Sequence, residues 1–181
     1  MYQKVVKTLL LVMVLGVFVT GSEAMGQRDP HIVREVRHEL VTLPYYGVFD
    51  WLEYEVQNDG TVILRGQVVR PSTKSDAGGR VKQIDGVRRV ENDIEVLPLS
   101  SQDDRLRLAL YRSIYANNSP LFRYATQSVP PIHLIVKRGH ATLKGVVANR
   151  ADAQQAYIRA RTVPGLFSVR NELIVEGERV R

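Results

Sequence analysis

No cysteine occurs anywhere in the 181 residues. Disulfides are therefore excluded, as is a lipoprotein anchor, and folded stability has to come from packed cores alone. Metal-binding patterns are equally scarce. The four histidines are His31, His38, His133 and His140. The first two stand too far apart for joint ligation from adjacent helical turns, and no cluster of carboxylates supports any of the four. The chain also lacks HExxH, GxSxG and a phosphate-binding glycine loop ending in Lys-Ser/Thr. These absences predict no metal, no cofactor and no catalytic residue. Long hydrophobic runs are missing too. The apolar stretch Leu9–Val19, broken by Gly16, falls short of the ~20 residues that a membrane-spanning helix needs.

That stretch fits an export signal instead. Lys4 and Lys7 precede it, and Ser22-Glu23-Ala24 places small residues at −3 and −1 of a cleavage point. Residues 1–24 are expected to be a cleaved signal peptide, with the mature chain working in the periplasm. Loss of Lys4, Lys7 and Glu23 lowers the formal charge from +6 to +5. A basic protein inside a cell suggests nucleic acid. Export redirects that charge toward anionic lipid headgroups and wall polymers, and no nucleic-acid partner is expected. A charge of this size also serves plain solubility.

What the chain does contain is a copy of itself. Tyr54–Val96 aligns with His133–Val175 at a constant shift of 79, with no gap. Ten positions are then identical: Gly60/Gly139, Leu64/Leu143, Gly66/Gly145, Val68/Val147, Ala77/Ala156, Arg80/Arg159, Gly86/Gly165, Val90/Val169, Asn92/Asn171 and Val96/Val175. Three shared glycines point to common backbone geometry. Two copies make a tandem of units rather than a solenoid.

Each copy opens with an amphipathic helix, carried by Ile32, Val36 and Leu40 in the first and by Leu106, Leu110 and Ile114 in the second. Asp29 with Pro30, and Ser101 with Asp104, read as the helix starts. A hairpin follows, turning at Asn58-Asp59-Gly60 and at Lys137-Arg138-Gly139-His140. Gly66 and Gly145, inside the second strand, mark a bulge or a close backbone approach. A second helix, capped by Asn149 in the second copy, is expected to end at Gly86 or Gly165 as left-handed C′ residues. Gly78-Gly79 should soften that helix in the first copy. A third strand closes each unit. The fold class is α+β: two tandem αββαβ domains at residues 29–97 and 103–176, each a three-stranded mixed sheet with both helices on one face. Residues 98–102 form a linker short enough that the units should touch, and residues 177–181 form a tail.

The residues resemble the BON domain, a small exported or cell-envelope module of bacteria. The resemblance rests on the hairpin glycine, the strand glycine and the closing pattern Gly-Val-x-x-Val-x-Asn-x-Ile-x-Val. That pattern stands as Gly86–Val96 and again as Gly165–Val175. It implies an αββαβ fold, periplasmic residence, and association with phospholipid membranes or envelope partners, with a role in envelope integrity or osmotic stress. It brings no catalytic residues. Gly60, Gly66, Gly86, Asn92, Gly139, Gly145, Gly165 and Asn171 are structural marks of the pattern.

Basic residues concentrate in the second copy. Arg105, Arg112, Arg123, Lys137, Arg138 and Lys144 are the candidate lipid-binding residues, a platform for an anionic phospholipid surface if the first helix and the hairpin tip share one side. Scattered solvated charge is the plainer alternative. Asp103-Asp104 reads as helix N-terminal charge favouring the macrodipole. Pro44–Tyr54 holds five aromatics, including the only tryptophan. That segment either seeks a membrane interface or, the reading favoured here, covers a core or plugs the contact between the copies. Docking onto an envelope protein through a sheet edge or the aromatic segment is the competing function. Nothing in the residues sets an oligomeric state.

Overall fold

The computed structural model describes residues 29–177; the expected signal segment and residues 178–181 lie outside it. The first unit runs α1 (Pro30–Val41), β1 (Trp51–Val56), β2 (Thr61–Val68), α2 (Pro71–Lys82), β3 (Arg89–Asn92) and β4 (Glu95–Val96). The second runs α3 (Ser101–Ile114), a 3₁₀ turn (Pro120–Thr126), β5 (Ile132–Lys137), β6 (His140–Val147), α4 (Arg150–Arg161) and β7 (Ser168–Val175). In both, the hairpin is antiparallel and the last strand returns parallel to the second. β3 and β4 are halves of one strand, each paired with β2.

Each sheet buries one face under its helices. Val62, Leu64, Val68 and Ile94 meet Ile32, Val36, Leu40, Ala77 and Val81 in one core. Leu134, Val136, Leu143 and Val147 meet Leu106, Leu110, Ile114, Ala156 and Ala160 in the other. The shared arginines bind second helix to first. Arg80 pairs with Glu39 at 3.2 Å, and Arg159 donates to the Ser113 carbonyl at 3.1 Å. The shared asparagines fix the last strand. Asn92 donates to the Lys74 carbonyl and accepts from the Ile94 amide. Asn171 does the same with Ala153 and Leu173.

Asp29 and Asn149 cap α1 and α4. The cap of α3 is Ser100, one residue before the expected Ser101. Its hydroxyl accepts from the Asp103 amide at 3.1 Å. Gly86 and Gly165 are not C′ residues either: the caps are Gln83 and Thr162, three residues earlier, and the glycines turn the chain into the last strand.

The two hairpins differ in register. Val56 pairs with Val62 in the first, whereas Val136 pairs with Ala141 in the second, so the first turn holds one residue more. Only Gly60 takes a positive φ there, which makes a type I turn with a glycine bulge. In the second turn Arg138 and Gly139 both do, at 52° and 77°, the mirror-image two-residue turn. The constant shift of 79 therefore breaks at the hairpin, and β1 matches β5 at a shift of 80. All ten identities survive, because none lies before Gly60.

Gly66 and Gly145 hold φ near 120°, and a Cβ on either would lie about 2 Å from the carbonyl oxygen of Trp51 or Pro131. They mark a close approach of two strands that no other residue permits. Gly78 has a different reason. A Cβ there would stand 2.7 Å from the Asn92 amide nitrogen, whereas one on Gly79 would meet nothing within 4 Å. Gly79→Ala should therefore stabilise the first unit by about 1 kcal/mol, and Gly78→Ala should gain less or lose because Asn92 must shift. Thermal melts of the two variants check this; equal gains would contradict it.

Candidate functional site: the joint and the cationic end of the second unit

The aromatic segment joins the units. Asp50, nearly fully buried, accepts from the Gly47 and Val69 amides at 3.0 and 2.7 Å. That tether holds residues 47–50 as a fixed loop projecting from the first unit. Val48 at its crest packs in the core of the second unit, and its carbonyl accepts from the Leu134 amide at 2.8 Å. The loop thus takes up an amide on the outer strand of the second sheet. Phe49 stacks edge-on against Tyr111.

His133 stands at the centre of this joint. It is 6% exposed, its ring lies 5.6 Å from Tyr46 and 5.1 Å from Trp51, and its Nδ1 has no hydrogen-bond partner among the described residues. Burial pushes the imidazole pKa down, with only partial opposition from the Asp50 and Gly47 backbone. Burial also raises the neighbouring Tyr46 to about 12, helped by the Asp50 charge. Ion pairs close the rim. Lys144, opposite His133 in the sheet, binds Glu53 at 3.2 Å and Glu172 at 3.0 Å. Burial opposes its charge, but bonds to Glu172 and Glu53 outweigh it and hold the amine above its usual pKa. Lys137 binds Glu95 at 2.5 Å.

The six candidate cations do not form one platform. Lys137, Arg138 and Lys144 line an open groove of about 390 Å³ on the helix-free face of the second sheet, with Gln67 and Leu97 as its far wall. Two of these three are committed to carboxylates across the joint. Arg123 lies on the helix side, bound to Asp152 and stacked 4.9 Å from the Tyr124 ring. Arg105 and Arg112 are exposed on α3, separated by two turns, about 10 Å. Arg105 binds Gln102 at 2.6 Å, and Gln102 lies beside the turn at Gly165.

That tip is organised by Asp103. Its carboxylate is 1% exposed and accepts from the Arg138 and Gly139 amides, each at 2.8 Å. The carboxylate thereby fixes a left-handed turn that an arginine enters reluctantly. The macrodipole reading missed this, because the bond spans 35 residues. Phe167 lies against Gly139 and 5.6 Å from His140. Sequence did carry a signal for it: the closing pattern leaves this position open, and Phe167 stands where the first copy has Arg88. Leu121 and Tyr124 are core residues, while Phe122 between them is exposed.

Charge divides unequally between the units. Residues 29–97 hold nine Lys/Arg and twelve Asp/Glu, a net of −3; residues 103–176 hold eleven and five, a net of +6. Among the described residues no group of three or more His, Cys, Asp or Glu is arranged to hold a metal, and no helix is long and apolar enough to cross a membrane.

The BON domain family matches this chain twice, over residues 28–98 and 118–177. No curated protein matches significantly. Among solved structures, CdsD, a structural protein of the type III secretion system of Chlamydia trachomatis, is similar at 14% identity and a TM-score of 0.30, covering 80% of this chain and 91% of that one. A structure of the CdsD C-terminal domain overlays at 14% identity and 0.31, covering 82% and 99%. Overlays this loose inform neither fold nor role.

The buried, neutral His133 gives the joint a pH dependence of fixed sign. Protonation is easier in the unfolded chain, so the stability His133 contributes is complete above about pH 6.5 and is lost as pH falls toward its depressed folded value. Thermal melts at pH 7.5 and 5.5 should show the wild type losing more stability than His133→Leu. Parallel losses in both proteins would contradict this.

Proposed function

Since the chain belongs to the BON domain family and carries that domain twice, we propose that it is an exported, non-catalytic envelope protein that lies on anionic phospholipid surfaces through its second unit. The observation that carries this reading is the division of charge, +6 against −3. A body so polarised turns its positive end toward a negative surface before contact. Arg105, Arg112 and Arg138 are the exposed candidates without an ion-pair partner among the described residues. Lys137, Lys144 and Arg123 serve the structure through their carboxylates and add only to the long-range field. A place in envelope integrity is the physiological role this reading supports.

Docking onto another envelope protein has less support. The aromatic segment it would use is spent on the joint. The Leu173 amide on β7, the other outer strand, is taken by Asn171, which withholds it from an added strand.

Mature protein should co-sediment with phosphatidylglycerol vesicles at low ionic strength and be released as salt rises. Arg105→Gln and Arg138→Gln should each weaken binding about fivefold, from about 1 kcal/mol per surface cation. Indifference to these vesicles even at low salt would end the lipid reading.

A further inference from the structure

The three most exposed large apolar side chains among the described residues are Leu99 at 98%, Phe167 at 78% and Tyr45 at 70%. The first two belong to one end of the second unit. Phe167 follows the turn at Gly165, which lies against Leu106 and Gln102 of α3. Its amide donates to the Gly139 carbonyl at 2.9 Å, and its ring rests on that glycine. Leu99 immediately precedes the Ser100 cap, whose helix sends Asp103 onto the same hairpin turn. The end is rigid as well as apolar. A buried carboxylate, two backbone bonds to it and the Phe167–Gly139 bond hold the loops together.

An exposed phenylalanine and leucine contribute nothing to the core beneath them. Burying either would release apolar surface from water. The same end carries Arg138, exposed and without an ion-pair partner among the described residues, and Arg105, whose side chain binds Gln102 at 2.6 Å. The nearest acids are already engaged. Asp103 holds the turn, Asp104 pairs with Arg107 at 2.5 Å, and Glu95 pairs with Lys137. Apolar side chains at the same end as two cations that no carboxylate pairs among the described residues are complementary to a bilayer whose anionic headgroups lie above hydrocarbon.

Resting on the lipid reading above, we infer that this end is the membrane-entering tip of the protein: Phe167 and Leu99 pass below the headgroups while Arg138 and Arg105 engage phosphates. The tip, and not the face of α3 or the groove, sets how the chain sits on the surface. Phe167 is the principal anchor, because its backbone is fixed on both sides.

The absence of cysteine makes the test direct. Phe167→Cys, Leu99→Cys and, as a control, Val146→Cys are each labelled with a polarity-sensitive nitrobenzoxadiazole and mixed with phosphatidylglycerol/phosphatidylcholine vesicles, with co-sedimentation measured in parallel. Val146 is exposed on the same sheet, about 20 Å along β6 from the tip. Labels at 167 and 99 should shift to the blue and brighten on vesicles, and the label at 146 should not. The unlabelled double variant Leu99→Ser/Phe167→Ser should bind about tenfold more weakly with an unchanged melting curve and an unchanged salt slope. Co-sedimentation without a shift at 167 and 99 overturns the tip and leaves the lipid reading standing. Equal shifts at all three positions also overturn it. Failure to sediment at all removes both.

Discussion

Val48 is a residue of the first unit that packs in the core of the second, and the arrangement of the molecule depends on that displacement. Asp50 holds the loop rigid from beneath, so Val48 enters as a fixed peg rather than a flexible strap. Its carbonyl then takes up the Leu134 amide on the strand where the second sheet would otherwise be open. One short loop thus fastens the units and protects an edge from stray pairing. Burial acts on the groups around it: it disfavours a charge on His133 and raises Tyr46 to about 12, while Glu172 and Glu53 hold the Lys144 amine above its usual pKa in spite of burial.

The duplication preserved a framework and let the surfaces diverge. Of the ten shared positions, Leu64/Leu143, Val68/Val147 and Ala77/Ala156 fill cores, Arg80/Arg159 tie helix to helix, and Asn92/Asn171 tie strand to helix. None of them distinguishes the copies. The differences lie in charge and at the tips. The first copy became acidic and gave its connecting loop to the joint. The second became basic and placed an exposed phenylalanine where the first has arginine. Such a pair acts as one polarised body, which two loosely tethered copies would not be.

Sequence revealed the repeated αββαβ order, both amphipathic helices and the caps at Asp29 and Asn149, because those signals are local and periodic. Gly66 and Gly145 were legible for the same reason: a glycine inside an alternating strand has few explanations. The hairpin register was not legible. Asp-Gly is a common two-residue turn, yet the mirror-image turn belongs to Lys137-Arg138-Gly139-His140 and not to Asn58-Asp59-Gly60, because Asp103 supplies two bonds from a distant helix. Ser100 displaced Ser101 as a cap at the same residue, since its hydroxyl accepts from the Asp103 amide while the Asp103 carboxylate holds that turn. The six cations looked equivalent as a list of charges. Their separation into committed and free groups depends on which carboxylates the joint brings near, and that is a property of tertiary structure.

Two units fastened as one oriented body should meet an anionic bilayer by the basic end. The most direct measurement is amide NMR line broadening of the mature chain on phosphatidylglycerol-containing bicelles that carry a gadolinium-chelating lipid. Broadening should concentrate at residues 99–105, 137–140 and 165–168, fade along β6 and be absent from α1 and α2. Broadening centred on the first unit, or spread evenly over both, would contradict it.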